Sequence, residues 1–180
     1  MIVTPYLIID FWKKVVGEKR WYAAEPALDD VIRRDYRAVW NDARAGKFVD
    51  WEDTPEGTLA LLIVLDQLPR NMFRDSADAF ASDAQARAVA DRAITRGFDM
   101  QIDMPIRQFF YTPFEHSESL NDQNRSTTLF AKGLGEDHYT YPYVVRHRAE
   151  IERFGRFPSR NKVLGRISTP EEVAYLESKP

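Results

Sequence analysis

The stretch TPEGTLALLIVLDQLPRNMFR, Thr54 to Arg74, decides the fold class. Thr54-Pro55-Glu56 opens a helix, with a capping hydroxyl ahead of a proline whose missing N–H is no loss in the first turn. Leu59 to Leu65 is apolar without interruption and suits a buried core element. Asp66 then stands at the end of a buried helix, where a carboxylate needs a partner that a nearby arginine can supply. Pro69 is expected to stop the helix, and Arg70, Asn71 and Arg74 follow around a Pro-Arg-Asn turn.

Outward from this element the periodicity is helical nearly everywhere. Thr4-Pro5 repeats the cap-then-proline start, ahead of Leu7, Ile8, Phe11, Trp12 and Val15 at one-face spacing. A second helix carries Leu28, Val31, Ile32, Tyr36, Val39, Trp40 and Ala43 and ends near Gly46. An alanine-rich helix runs from about Ser82 to Arg96, with Gly97 behind it. Pro105 begins a short aromatic helix cut off by Pro113, and Ser117 caps the next, which ends at Gly133. Another spans about Tyr141 to Phe154, and Thr169, Pro170 and Glu172 form a capping box for the last. The expected fold is all-α: about eight helices in antiparallel pairs, without a strand, as a single domain over residues 1–180. Successive helical hairpins also build solenoids, but a repeat of about 34 residues shows no convincing self-similarity.

A chain of 180 residues is long enough to bury a core without staples, and its 44% hydrophobic content fits a globular protein. The absence of cysteine excludes disulfides, thiolate nucleophiles and cysteine-ligated metals; it is compatible with the cytoplasm, the expected location. The N-terminal MIVTPYLIIDFWKKVV is not expected to be a signal peptide, because its apolar run is short, is broken by Asp10 and precedes its lysines. No segment reaches the roughly eighteen apolar residues of a membrane span. With a net charge of -3, general attraction to nucleic acid is not expected, and any anion site is local.

Against that acidic balance, FGRFPSRNKVLGR (Phe154 to Arg166) holds Arg156, Arg160, Lys162 and Arg166 without one acid. Arginine presents planar, paired donors suited to phosphate or carboxylate, and Gly155 and Gly165 allow the loop to expose its N–H groups. The alternative is an arginine loop folded over the carbonyls of neighbouring helix ends. TPFEHSE (Thr112 to Glu118) clusters Glu115, His116 and Glu118 between two helices. A His-x-Glu spacing is a weak metal signal, and Ser117 lacks the elbow motif of a nucleophile. Capping of the next helix and pairing with a distant arginine is the alternative reading, and neither metal nor cofactor is expected. His147, among Val144, Val145 and Ile151, reads as a hydrogen-bonded core histidine or as a base beside the arginines. Phosphate-binding loop, dinucleotide, HExxH and EF-hand motifs are absent.

Four blocks, LALLIVLDQLPRNMFR, AFASDAQARAVA, FFYTPFEHSE and RFGRFPSRNKVLGRISTPEE, strongly resemble in that order the DUF924 family of bacterial proteins. The Phe11-Trp12 pair and the Trp51-x-x-Thr-Pro-x-Gly segment fit it as well, so the likeness covers nearly the whole chain. The resemblance implies an all-α fold similar to tetratricopeptide-repeat-like superhelices, and no established activity. Ser159 stands where the family pattern FGRFPHRN is expected to have histidine. A catalytic role for that imidazole would be lost here, whereas roles for Arg156, Arg160 and Asn161 would survive.

Together these blocks lead us to expect a soluble helical protein that binds a small phosphate- or carboxylate-bearing molecule in a polar cleft. Asp66, Arg70, Asn71, Arg156, Arg160 and Asn161 would bind it, and in a hydrolase-type version His116 or His147 would act as general base. The competing expectation is a non-enzymatic helical scaffold for a peptide or protein partner, which calls for exposed aromatic and apolar residues along one concave face.

Overall fold

The computed structural model describes residues 3–178, and every regular element among them is helical. Residues 1, 2, 179 and 180, the ends of the expected domain, lie outside the described residues. Helix α1 (Pro5–Asp10) starts where the Thr4 hydroxyl accepts the Leu7 N–H, and it continues in wider π-helical turns over Phe11–Val16. Gly17, at φ +75°, then turns the chain. Helix α2 (Pro26–Arg44) buries Leu28, Ile32, Val39, Trp40 and Ala43, the face its spacing predicts. Helix α3 (Pro55–Leu62) is capped by Thr54, whose Oγ1 accepts the Gly57 N–H at 3.1 Å. Every residue from Gly57 to Pro69 is buried, as a segment apolar on all sides requires. Helices α1 and α5 (Asp83–Thr95) pack against α3, and α2 packs against the turns beyond it.

Pro69 does not stop this helix. The backbone widens into π-helical turns over Ile63–Gln67 and resumes as α4 (Leu68–Met72). In α-helical register a proline at 69 removes the N–H that the Leu65 carbonyl would accept. The Ser82 hydroxyl donates to that carbonyl instead, and itself accepts from Trp40 Nε1 at 2.9 Å. The lost backbone bond is thus replaced from two other segments, and the chain keeps its helical course.

The remaining elements are α6 (Thr112–Glu115), which Pro113 begins rather than ends, and a hairpin of α7 (Leu120–Gly133) and α8 (Tyr141–Phe154). Helix α9 (Pro170–Glu177) closes the order. With each π-helical stretch joined to its neighbours, the described residues hold eight such helical runs besides short 3-10 turns. One contiguous buried cluster extends from Ile8 to Val144. No helix among the described residues is long and apolar enough to cross a membrane.

Two contacts tie the later helices down. The buried Tyr111 ring meets Phe130 of α7 edge-on, and its hydroxyl donates to Asp99 Oδ2 at 2.8 Å. Gly133 makes room for it. At α9 the capping box is complete: Thr169 accepts the Glu172 N–H and Glu172 Oε2 accepts the Thr169 N–H at 2.7 Å. The Glu172 carboxylate also receives the Arg156 fork at 2.6 and 2.8 Å and Asn161 Nδ2 at 3.2 Å. The Arg156 hydrogen bonds first, then the Thr169 N–H, hold its carboxyl down to about 2.

In a Gly133→Ala variant the new methyl falls on the Tyr111 hydroxyl and ring edge. Because the ring is enclosed, relief breaks its bond to Asp99, and urea unfolding should report a loss of about 1–3 kcal/mol; unchanged stability would show that Tyr111 has room to move. Glu172 gives a second test. Its folded pKa lies below the ordinary 4.5, so its contribution is present above that value and is lost as pH falls toward about 2. Hydrogen-exchange protection of α9 should therefore fall over that acid range in the wild type and be low and independent of pH in Glu172→Gln. An identical acid profile in both proteins would contradict the clamp.

Candidate functional site

Asp66 is the penultimate residue of the π-helical segment, at 1% exposure. Its Oδ2 accepts from Gln67 Nε2 at 2.6 Å and from the Thr112 hydroxyl at 3.1 Å. Its Oδ1 lies 2.8 Å from His116 Nδ1 and 3.3 Å from Arg70 Nη1. Burial alone would raise the carboxyl, but the Arg70 guanidinium, His116 and these hydrogen bonds outweigh it and hold Asp66 well below the usual carboxylate range. An ionised carboxylate only accepts, so the proton between the pair sits on His116 Nδ1, leaving Nε2 for whatever enters the clefts that His116 lines.

Arg70 is braced on both sides. Its guanidinium donates to the Asp66 carbonyl and forks onto Asp83, the first residue of α5, with both bonds at 3.1 Å. Arg160 is placed differently. It ends the 3-10 turn Pro158–Arg160, with its guanidinium carbon 4.5 Å from the ring centre of Phe80 and 4.4 Å from that of Phe157. Among the described residues its guanidinium makes neither a hydrogen bond nor an ion pair, although its backbone N–H and carbonyl are both bonded. Burial first, and the Arg70 charge next, push its pKa down to about 10, so it remains a cation at neutral pH.

Of the predicted site residues, the structure gathers Arg70, Asn71, His116 and Arg160 around three clefts that share walls, with Asp66 buried behind Arg70 and His116. One of about 460 Å³ is lined by Phe80, Asp83, His116, Arg160 and Leu164. A second of about 180 Å³ has Tyr22, Gln67, Arg70 and His116. The third, about 350 Å³, has Arg70, Phe80, Ser159 and Arg160. Asn71 and the remaining candidates also have partners within the protein. Asn71 Nδ2 donates to Asp29 Oδ1 at 2.8 Å, where Arg74 also grips that buried carboxylate. Arg156 and Asn161 are spent on Glu172, and Arg166 forks onto Glu118 at 2.7 and 2.9 Å. His147 Nδ1 lies 2.9 Å from Glu115 Oε1, out of line for a hydrogen bond, with its ring edge-on to Phe157.

Glu115, His116 and Glu118 point to different partners: Glu115 to His147, His116 to Asp66, Glu118 to Arg166 and the Phe157 N–H. No group of three or more His, Asp or Glu among the described residues is arranged to hold a metal ion. Sequence reasoning missed Asp83 and Phe80. Asp83 reads as an ordinary acid in the first turn of a helix, and only the fold turns it toward Arg70.

The family described as bacterial protein of unknown function (DUF924) matches residues 8–179. A solved structure titled a protein of unknown function, ATU0120 from Agrobacterium tumefaciens, is similar with 39% identity and a TM-score of 0.92, covering 97% of each chain. No curated protein matches. The four sequence blocks, the all-helical architecture and the near-complete match agree: the chain belongs to the DUF924 family of bacterial proteins of unknown function.

Proposed function

We propose that the chain is one helical domain that binds a small anion-bearing molecule at Arg160, with the Asp66–His116 pair as acid/base apparatus beside it. The packing of α1 on α3, α2 on α4 and α3 on α5 supports reading the helices as a tetratricopeptide-like array whose ends bear the site. The observation that carries the reading is the contrast within one loop. Arg156 and Arg166 are each matched by a carboxylate, whereas Arg160 stands unpaired over two aromatic rings at the wall of a cleft. A partly desolvated cation without a counter-charge is unfavourable, and a bound anion relieves it.

His116 supplies the chemistry. Asp66 fixes the ring and the proton on Nδ1, so Nε2 is a base of defined orientation that can take a proton from an attacking water or hydroxyl. Arg160 lines the same cleft and can hold the anionic group of the ligand or the charge that develops during attack. This is hydrolase-type acid/base chemistry, and it needs no metal.

Arg160 and Arg156 separate ligand binding from structure. Thermal melts at fixed ionic strength, with chloride exchanged in turn for phosphate, sulfate or carboxylates, should show that at least one of these anions stabilises the wild type. Arg160→Ala should abolish the effect with little change in the apo melt. Arg156→Ala should lower the apo melt, because it strips the buried Glu172 of its fork, yet keep the anion effect. A wild type indifferent to all of these anions, or an Arg160→Ala protein that responds as the wild type does, would overturn the proposal.

A further inference from the structure

We infer that the anion taken at Arg160 is the single carboxylate of a molecule with an apolar body, not a phosphate or another dianion. The inference rests on the anion-binding reading of this cleft and narrows it. Its first support is a balance of charges. Asp66 and Asp83 match Arg70, Asp122 lies 3.6 Å from Arg87, and Glu118 is forked by Arg166. These four carboxylates face four guanidiniums, Arg160 included, so the cluster holds no surplus positive charge for a dianion, and among the described residues Arg160 alone of the four has no carboxylate at ion-pair distance. At longer range it feels the Arg70 charge first, then Asp83, Glu118 and Asp66. A second negative charge on the ligand would have to be received by Arg87 or Arg70, whose guanidiniums already face carboxylates.

The second support is shape. A guanidinium fork pairs side by side with two oxygens of a carboxylate or of a phosphate, but a phosphate brings a further charged oxygen that the apolar wall of Phe80 and Leu164 does not match. The rings of Phe80 and Phe157 lie against the Arg160 guanidinium and hold it in place.

The third support is the wall next to the charge. Phe80 lines the cleft with Arg160, and Leu164, 37% exposed, stands at the same cleft away from the core cluster. Val163 continues the apolar surface in the adjoining cleft with Ser159. A ligand gripped at Arg160 would lay its carbon skeleton along Phe80 and Leu164, covering apolar surface that the fold leaves to water. At about 460 Å³ the cleft falls in the range of small-molecule sites, which is roughly 300–1,000 Å³.

The test is thermal unfolding of the full chain at constant ionic strength with acetate, hexanoate, phenylacetate, neutral phenylacetamide, inorganic phosphate and sulfate. Phenylacetate or hexanoate should raise the Tm by roughly 5–10 °C at a hundredfold excess over its dissociation constant. Acetate should act more weakly, and phenylacetamide, phosphate and sulfate should give no shift. Arg160→Ala should abolish the carboxylate shift; Arg160→Lys, which keeps the charge but not the planar fork, should weaken binding and serves if the alanine variant does not fold. Leu164→Ala should shrink the phenylacetate shift toward that of acetate and leave the acetate shift unchanged. Stabilisation by phosphate or sulfate through Arg160, without a carboxylate effect, would overturn the carboxylate assignment and leave the anion site standing. No response to any anion, or equal carboxylate shifts in wild type and Arg160→Ala, would overturn both.

Discussion

The ionised carboxylate of Asp66, almost wholly removed from water, constrains the organisation of the site. A charge in that position is costly unless donors surround it. Four side chains do so: Gln67 from the same widened turn, Thr112 and His116 from either end of the α6 region, and Arg70 from the next turn of the chain. Meeting this one requirement brings the α3–α4 run and α6 together through polar contacts. It also fixes the Nδ1 proton of His116 and takes half of what Arg70 has to offer; the other half goes to Asp83 and so binds the start of α5 to the same point. Arg160 arrives after these demands are met and finds aromatic rings instead of a carboxylate. What faces the clefts once the buried charge is satisfied is the Nε2 side of His116 and the Arg160 guanidinium.

Much of the architecture was legible because it follows local rules. The uninterrupted apolar run from Leu59 to Leu65 has no solvent side and lies at the centre. Thr4, Thr54 and Thr169 cap the helices that their following prolines mark, and Glu172 completes its box. Pro69 misled for a reason that local rules do not contain. The rule for proline holds for α register, but the chain widened into π-helical turns and recruited Ser82, beyond the next turn, to satisfy the Leu65 carbonyl. Replacement donors from other segments leave no mark near the proline.

The site was legible in type more than in detail. A carboxylate at the end of a buried helix called for a partner, and arginine was the expected one; His116 was a candidate for a separate reason, and the bond joining the two spans 50 residues. Arg156 and Arg160 look alike in FGRFPSRN. What separates them is Glu172, 16 residues beyond Arg156, and Glu118, far earlier in the chain, which takes Arg166. Whether an arginine is a clamp or a ligand group is decided by which acids the fold delivers, and that is a matter of long-range placement.

The organising role of Asp66 can be read directly from the imidazole it holds. Long-range ¹⁵N–¹H NMR of the histidine rings resolves which nitrogen carries the proton when the ring is neutral. His116 in the wild type should be in the Nδ1–H form with Nε2 bare, and in Asp66→Asn, where an amide can also donate, that preference should be lost. A wild-type His116 protonated on Nε2 would contradict the arrangement, because the imidazole would then be turned away from the buried carboxylate and the cleft would have no oriented base.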